Sequence, residues 1–370
     1  MKVCHICSNF DNFFVDFMQE EKKQGIDFRV FYFRAKERGI PSVEAPNLDK
    51  RLNFYSWQRY LFFLKENIVL KDLNRLYNHG EFDLYHAHTL FSNGYLAYRL
   101  NKVNHKPYIV AVRDTDINVF FKKRPYLRKI GIKILKNASK IIFISDNYKK
   151  VLFSKYIPNK YKKSFLKKSC VIPNGVNNFF QDNKIAPKKK IQDKTNFTIL
   201  TVGLISQRKN QISVAKAIEY LINKKGLDIK YQIIGKTLDK SIDKELRSFD
   251  FIERIPFTEK HDLLDYYRDA DVFAMPSLTE TFGLTYVEAM TQGLPIIYSQ
   301  GQGIDSYFKN GQVGYRVRQT DIMEIAMAIQ NCVKNIDQLS QNACFFSSSF
   351  TWEKIIQKYY KIYFNLLSKH

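Results

Sequence analysis

Short apolar runs rich in β-branched and aromatic residues, each followed by a helical pattern, recur along this chain in two series. The first series holds KVCHICS, DFRVFYF, DLYHAH, PYIVAVR, KIIFIS and CVIP. A polar, lysine-rich stretch, DNKIAPKKKIQDKTN (182–196), interrupts it. The alternation then restarts with FTILTVG, IKYQIIG, FIERIPF, DVFAMPS, PIIYS and VGYRV. Strand–helix alternation on this scale specifies parallel sheets covered by helices on both faces. The restart predicts two α/β domains, over 1–185 and 191–350, and 370 residues give each enough chain for its own core. A last segment, 351–370, is amphipathic, with Trp352, Ile355, Ile356, Tyr359 and Tyr360 at near-helical spacing.

Composition narrows the setting. The five cysteines are scattered and odd in number, which suits a reducing cytoplasm and no disulfide framework. Cys4-His5-Ile6-Cys7 has redox-motif spacing but reads as a buried first strand, not as a loop entering a helix. MKVCHICSNF lacks the apolar run of a signal peptide, and no stretch approaches the roughly 20 apolar residues of a membrane span. The expectation is a cytoplasmic protein, soluble or peripheral on the inner face of the plasma membrane. Its formal charge of +23 calls for an acidic partner: nucleic acid, an anionic membrane or a phosphorylated substrate.

Open parallel sheets bind ligands beyond the carboxyl ends of their strands. That rule selects the loops after VAVR, LTVG, QIIG and AMPS. The last leads into TETFGLTYVEAM (279–290), which places Glu280 and Glu288 on either side of Gly283. Gly283 supplies a backbone turn, and a helix is expected from Leu284 or Thr285 to Gln292, stopped by Gly293 and Pro295. The free N–H groups of 282–285 then form an anion site. Carboxylates beside it suit the hydroxyls of a sugar and of a ribose, because each grips a diol through charge-assisted bonds. Plain helix-capping acids are the alternative. In the loop after Gly203, Arg208 and Lys209 stand where cations can neutralise a diphosphate; taken alone, they also read as solvated loop residues.

GLISQRKN, PNGVN (173–177), TETFGLTYVEAMTQGLPII and the terminal FTWEKI together resemble the retaining glycosyltransferases of family 4, with the GT-B fold. The resemblance implies two Rossmann-like domains facing a cleft, with the C-terminal helix crossing back to the first. It implies that Glu280 contacts the donor sugar, Glu288 the ribose diol, and Arg208 and Lys209 the diphosphate. Gly203 and the backbone of Thr281, Phe282, Gly283 and Leu284 would line the donor. The donor implied is a UDP- or GDP-type sugar, with no cofactor and no metal. The acceptor implied is a glycan or lipid-linked glycan, as in bacterial capsule, lipopolysaccharide or exopolysaccharide synthesis.

The first domain departs from the family pattern. Where relatives carry His-Gly-x-Asp, this chain has Arg113-Asp114-Thr115-Asp116, which matches only at Asp116 and suggests an anionic acceptor. Arg113, Asp114, Asp116 and His88 are therefore acceptor-side candidates. Asp114-Thr115-Asp116 is also the D-x-D of unrelated metal-dependent transferases, and it is read here as acceptor chemistry. His86 and His88 share one strand face, yet no third metal ligand is evident. Ser8–Asn12 lacks the usual glycines, and Asp305 stands where a glutamate is common.

Two further function classes are weighed. Another GT-B enzyme, a nucleotide-sugar epimerase or a phosphorylase, shares the fold, but no lysine sits in a pyridoxal-type setting. A basic nucleic-acid-binding protein would need a motif that is not found, so no nucleic-acid partner is expected. The charge itself concentrates over 122–168, with sixteen basic residues against Asp146 alone. Within 124–137, Lys129, Lys133 and Lys136 share one face and Leu127, Ile130 and Ile134 the other. This segment, with Trp57–Tyr77 as a second candidate, is expected to meet an anionic membrane, unless its apolar face is simply core.

Overall fold

A computed structural model describes residues 1–189 and 196–368, so linker residues 190–195 lie outside the described residues. The chain forms two compact units, Met1–Pro173 with Trp352–His370, and Asn174–Thr351. The strands of the first unit are β1 (Lys2–Cys7), β2 (Asp27–Ala35), β3 (Leu48–Phe54), β4 (Leu84–Ala87), β5 (Tyr108–Val112), β6 (Lys140–Phe143) and β7 (Ser169–Val171). Its helices are α1 (Asn12–Lys23), α2 (Phe62–Leu76), α3 (Ser92–Asn104), α4 (Arg128–Asn137), α5 (Asp146–Lys155) and α6 (Asn159–Lys167). All strand pairs are parallel, in the order β3-β2-β1-β4-β5-β6-β7.

The six apolar runs of the first series form six of these strands, and β3 is the addition. LDKRLNF carries too little apolar character to signal a strand. It survives as an edge strand, half-buried and paired on one side only. Cys4 and Cys7 are buried in β1, where loss of hydration pushes both thiols well above their ordinary range. The sheet therefore claims the CxxC pair as core, as its place in a strand predicts.

The second unit contains α7 (Asn178–Asp182), β8 (Asn196–Val202), α8 (Gln211–Lys225), β9 (Asp228–Ile234), α9 (Lys240–Leu246), β10 (Ile252–Ile255) and α10 (Lys260–Asp269). It continues with β11 (Val272–Ala274), α11 (Leu284–Thr291), β12 (Ile296–Ser299), β13 (Gly314–Val317), α12 (Ile322–Lys334) and α13 (Ile336–Ser347). Its parallel sheet runs β10-β9-β8-β11-β12-β13. In each sheet the strand order reverses beside the first strand, at β1/β4 and at β8/β11. Those are the switch points where a crevice opens at the strand ends.

The last helix, α14 (Trp352–Leu367), belongs to the first unit. Its apolar face, Trp352, Ile355, Ile356, Tyr359 and Tyr363, is buried with Phe17, Phe28 and Ile142 in one core. Each such side chain contributes about 1.5–3 kcal/mol relative to exposure, which holds the segment there. Residues 174–185, expected in the first domain, lie in the second unit. The Val176 N–H donates to the Phe350 carbonyl at 2.8 Å, and Arg268 and Gln292 donate to the Asn183 carbonyl at 3.3 and 3.2 Å. The chain changes unit at the Pro-Asn-Gly turn after β7, well before the lysine-rich stretch.

Candidate active site

After β11 the chain runs Met275–Thr279 to Glu280, then turns at Gly283 into α11. Gly283 adopts φ 84°, and a Cβ there would meet the Tyr286 ring at 2.4 Å, so the turn requires glycine. The Tyr286 hydroxyl donates back to the Met275 carbonyl and ties the helix to the strand end. Gly293, at φ 68°, ends the helix as its position predicts. The Tyr286 N–H already donates to the Gly283 carbonyl at 3.1 Å, and the N–H groups that precede it, at the start of α11, lie at the anion-favouring end of the helix dipole.

The loop after β8 meets this turn directly. The Leu278 N–H donates to the Arg208 carbonyl at 2.8 Å, and Arg208 Nη1 donates to the Thr279 carbonyl at 2.9 Å. Lys209 Nζ lies 2.7 Å from Glu280 Oε2, and Arg208 Nη1 is 3.7 Å from the same oxygen. Lys209 is buried against Met275 and the Gly203 backbone, and that burial lowers its ammonium from the ordinary value while Glu280 opposes the shift. Arg208 remains half-exposed. Two cations and one carboxylate, from residues 71 or more positions apart, thus converge at the β8/β11 switch point.

A third loop, after β12, holds the carboxylate's backbone. Gln302 Oε1 accepts from the Glu280 N–H at 3.2 Å, and the Gly303 N–H donates to the Glu280 carbonyl at 2.9 Å. A Cβ on Gly303, at φ 38°, would come within 2.8 Å of the Phe282 carbonyl oxygen. Neither residue was singled out from the sequence, although GQG directly after a strand end was the available signal. Asp305 sits below them and accepts from the Gly301 N–H at 2.7 Å, so it shapes the loop.

Glu288 does not join this cluster. It lies on the second turn of α11 and accepts from the Tyr267 hydroxyl at 3.0 Å. Burial pushes its carboxyl up to about 7, against the pull of Tyr267 and Lys260.

Two family descriptions match the chain, Glycosyltransferase Family 4 over residues 12–178 and Glycosyl transferases group 1 over 182–343. The chain belongs to glycosyltransferase family 4. It is 26% identical to the alpha-monoglucosyldiacylglycerol synthase of Acholeplasma laidlawii, over 78% of this chain and 76% of that one. The fold matches Anabaena Alr3699/HepE, crystallised with UDP, at a TM-score of 0.75, with 17% identity over 98% and 99% of the two chains. It also matches the lipopolysaccharide outer core galactosyltransferase WaaB at a TM-score of 0.75, with 16% identity over 99% of both.

In the first unit of this family 4 enzyme, the acceptor-side candidates separate. Asp116 is fully buried, and its carboxylate accepts from the N–H groups of Leu90, Phe91 and Arg113 at 3.0, 3.1 and 2.8 Å. It builds the turn and has little left for a ligand. Asp114 Oδ1 accepts from the Tyr148 hydroxyl and from Asn118, both at 2.6 Å, so the two aspartates of the D-x-D are committed to different partners. Arg113 is partly exposed, and its Nε donates to the His88 carbonyl at 3.4 Å.

His88 has a third imidazole beside it that the sequence reading missed, that of His5 on β1. Among the described residues, His5, His86 and His88 form the one group with metal-ligand spacing. The His86 proton follows from its partner. Tyr363 donates to Glu21 at 3.0 Å, so His86 Nδ1, 2.7 Å away, donates to Tyr363. His5 Nε2 lies 2.8 Å from Glu21 Oε2 without hydrogen-bond geometry, and His5 Nδ1 lies 3.0 Å from His88 Nε2. The His86 and His88 rings stack 4.0 Å apart with 25° between planes, and His86 Nε2 is buried without a hydrogen-bond partner. Burial holds His86 and His88 well below the ordinary histidine range.

Proposed function

We propose that this glycosyltransferase moves a sugar from a UDP- or GDP-type nucleotide-diphosphate sugar to a hydroxyl of a glycan or lipid-linked acceptor. The anomeric configuration would be retained, no metal would take part, and the setting would be assembly of a bacterial surface polysaccharide on the cytoplasmic side. The observation that carries the reading is the Arg208–Lys209–Glu280 constellation beside the first turn of α11. Departure of a nucleoside diphosphate develops negative charge. Preorganised cations and N–H dipoles facing that charge lower the barrier by several kcal/mol, as oxyanion-type donors do.

Within the site, Arg208 is the accessible cation for the diphosphate. Lys209, already engaged, fixes Glu280 so that its second oxygen can accept from donor sugar hydroxyls. Glu288 would accept from the ribose diol, and the N–H groups of 282–285 would face the phosphates. No side chain here is poised as a covalent nucleophile, which favours front-face attack by the acceptor hydroxyl with its proton passing to the leaving phosphate oxygen. Arg113 is the partly exposed first-unit cation for an anionic acceptor. The Acholeplasma relative, an alpha-monoglucosyldiacylglycerol synthase, and the structural neighbour WaaB, a lipopolysaccharide outer core galactosyltransferase, agree with an acceptor of this class.

The decisive experiment incubates the protein with UDP-, GDP-, ADP- and CMP-sugars with and without membrane glycan extract. It follows nucleotide release, and the product's anomeric configuration by NMR. Acceptor-dependent release that persists in EDTA is expected. Release that needs manganese, or an inverted product, overturns the corresponding part of the reading.

A further inference from the structure

The apolar surface expected from the lysine-rich segment lies elsewhere in the first unit. Leu127 and Ile134 are buried in the core, so α4 turns mainly its lysines outward. Along Tyr55–Leu64 the arrangement differs. Phe62, Val69 and Leu73 face the core, whereas Tyr55, Trp57, Tyr60, Leu61, Phe63 and Leu64, along the 3-10 turn Ser56–Tyr60 and the start of α2, are all exposed. Trp57 is 56% exposed and Tyr60 77%, values that no packing role requires. Single exposed apolar residues need no explanation, but a contiguous set does.

This segment is a built feature. The Ser56 N–H donates to the Glu37 carboxylate at 3.1 Å, and the Tyr55 N–H donates to Gln58 Oε1 at 2.7 Å. Arg124 Nη1 donates to the Arg59 carbonyl at 3.2 Å, and Tyr126, two positions further along, is 63% exposed. Exposed Lys36, Arg38, Arg59, Lys122 and Lys123 come from the same three segments, and the one acid there, Glu37, is engaged by Ser56.

We propose that this patch docks the first unit on an anionic bilayer, with Trp57, Tyr60, Leu61 and Leu64 entering the headgroup layer and the basic rim meeting lipid phosphates. Aromatic rings with one polar edge favour that depth, and apolar side chains rimmed by Lys and Arg are the signature of an interfacial segment. Nucleic acid would satisfy the cations but gives Leu61 and Leu64 nothing to bury against, since single strands engage aromatic faces and charge. The inference deepens the lipid-linked acceptor of the proposed function, but its test reads binding and not transfer, so the two fail separately.

The test uses the full chain with phosphatidylglycerol-containing and pure phosphatidylcholine vesicles, by co-sedimentation and tryptophan fluorescence. The chain has two tryptophans, and Trp352 is buried, so a blue shift reports Trp57. A shift with anionic vesicles alone is expected. Tyr60→Ser combined with Leu61→Ser should abolish it without changing the melting temperature, because both residues are exposed. Lys122→Ser with Lys123→Ser should weaken partitioning by roughly fivefold per charge at low salt. An absent shift, or unaltered binding by the Tyr60/Leu61 variant, overturns the proposal. So does RNA binding that displaces the vesicles while the apolar substitutions change nothing.

Discussion

The ammonium of Lys209 lies 2.7 Å from a carboxylate oxygen of Glu280, and both side chains are buried. A buried pair contributes little net stability, yet removing one partner strands the other and costs about 3–5 kcal/mol. Lys209→Met should therefore destabilise the second unit more than the double variant Lys209→Met/Glu280→Gln does, while both lose turnover. Calorimetry with steady-state kinetics checks this. Equal destabilisation by single and double variants would show that the pair is not coupled.

Arg208 shares the same carboxylate at 3.7 Å but is half-exposed, so its loss should spare the fold. Arg208→Ala is expected to lower kcat by about 10²–10³, the range for loss of one preorganised charge-stabilising donor. Its melting temperature should stay within about a degree of the parent, given surface effects within about 0.5 kcal/mol. An effect confined to KM would instead mark Arg208 as a uniform binding contact.

Glu288 should make the second unit pH-dependent. Its folded carboxyl titrates near 7, above the ordinary 4.5, so the unfolded state loses its proton first as pH rises. The second unit then loses stability between those values and levels off above the folded one, by up to about 3 kcal/mol at 1.36 kcal/mol per unit. Glu288→Gln should abolish this loss and stabilise the unit above pH 7, while weakening nucleotide binding through the missing diol acceptor. Calorimetric melting against pH, paired with nucleotide titrations, reads both effects. A melting profile unchanged by the substitution would refute the assignment.

The limits of sequence reading fall at particular residues. The runs of the central strands were legible because a strand buried on both faces must be continuously apolar, whereas β3, half-exposed at an edge, carries LDKRLNF and no such signal. Arg208, Lys209 and Glu280 were legible as loop residues after strand ends. Their mutual contact was not, because it joins positions 71 apart through the β8/β11 neighbourhood. His5 was missed for the same reason: its partner His88 is 83 positions away, and only the β1/β4 pairing brings them together. Amphipathicity marked 124–137 and 57–77 alike, but periodicity does not say which apolar stripe faces the core.

The histidine chain sets the acid limit of the first unit. His86 and His88 are held neutral by burial, Arg113 adds unfavourable positive charge, and the Tyr363 hydroxyl already donates to Glu21. Their folded values lie below the ordinary 6.5, so the unfolded state takes up protons first as pH falls. Stability is complete above that value and declines below it, by up to about 1.4 kcal/mol per histidine per pH unit. Asp116 works in the opposite sense. Its buried carboxyl is raised to about 6, so protonation below that value offsets one of the two histidines and leaves a net loss. Both tryptophans, Trp57 and Trp352, belong to the first unit, so their fluorescence reports its unfolding apart from the second. Urea midpoints followed by tryptophan emission should fall as pH drops from about 7.5 to about 5.5, the interval that spans the ordinary histidine value. Midpoints that hold steady or rise over that interval would mean the imidazoles already carry their charge in the folded protein.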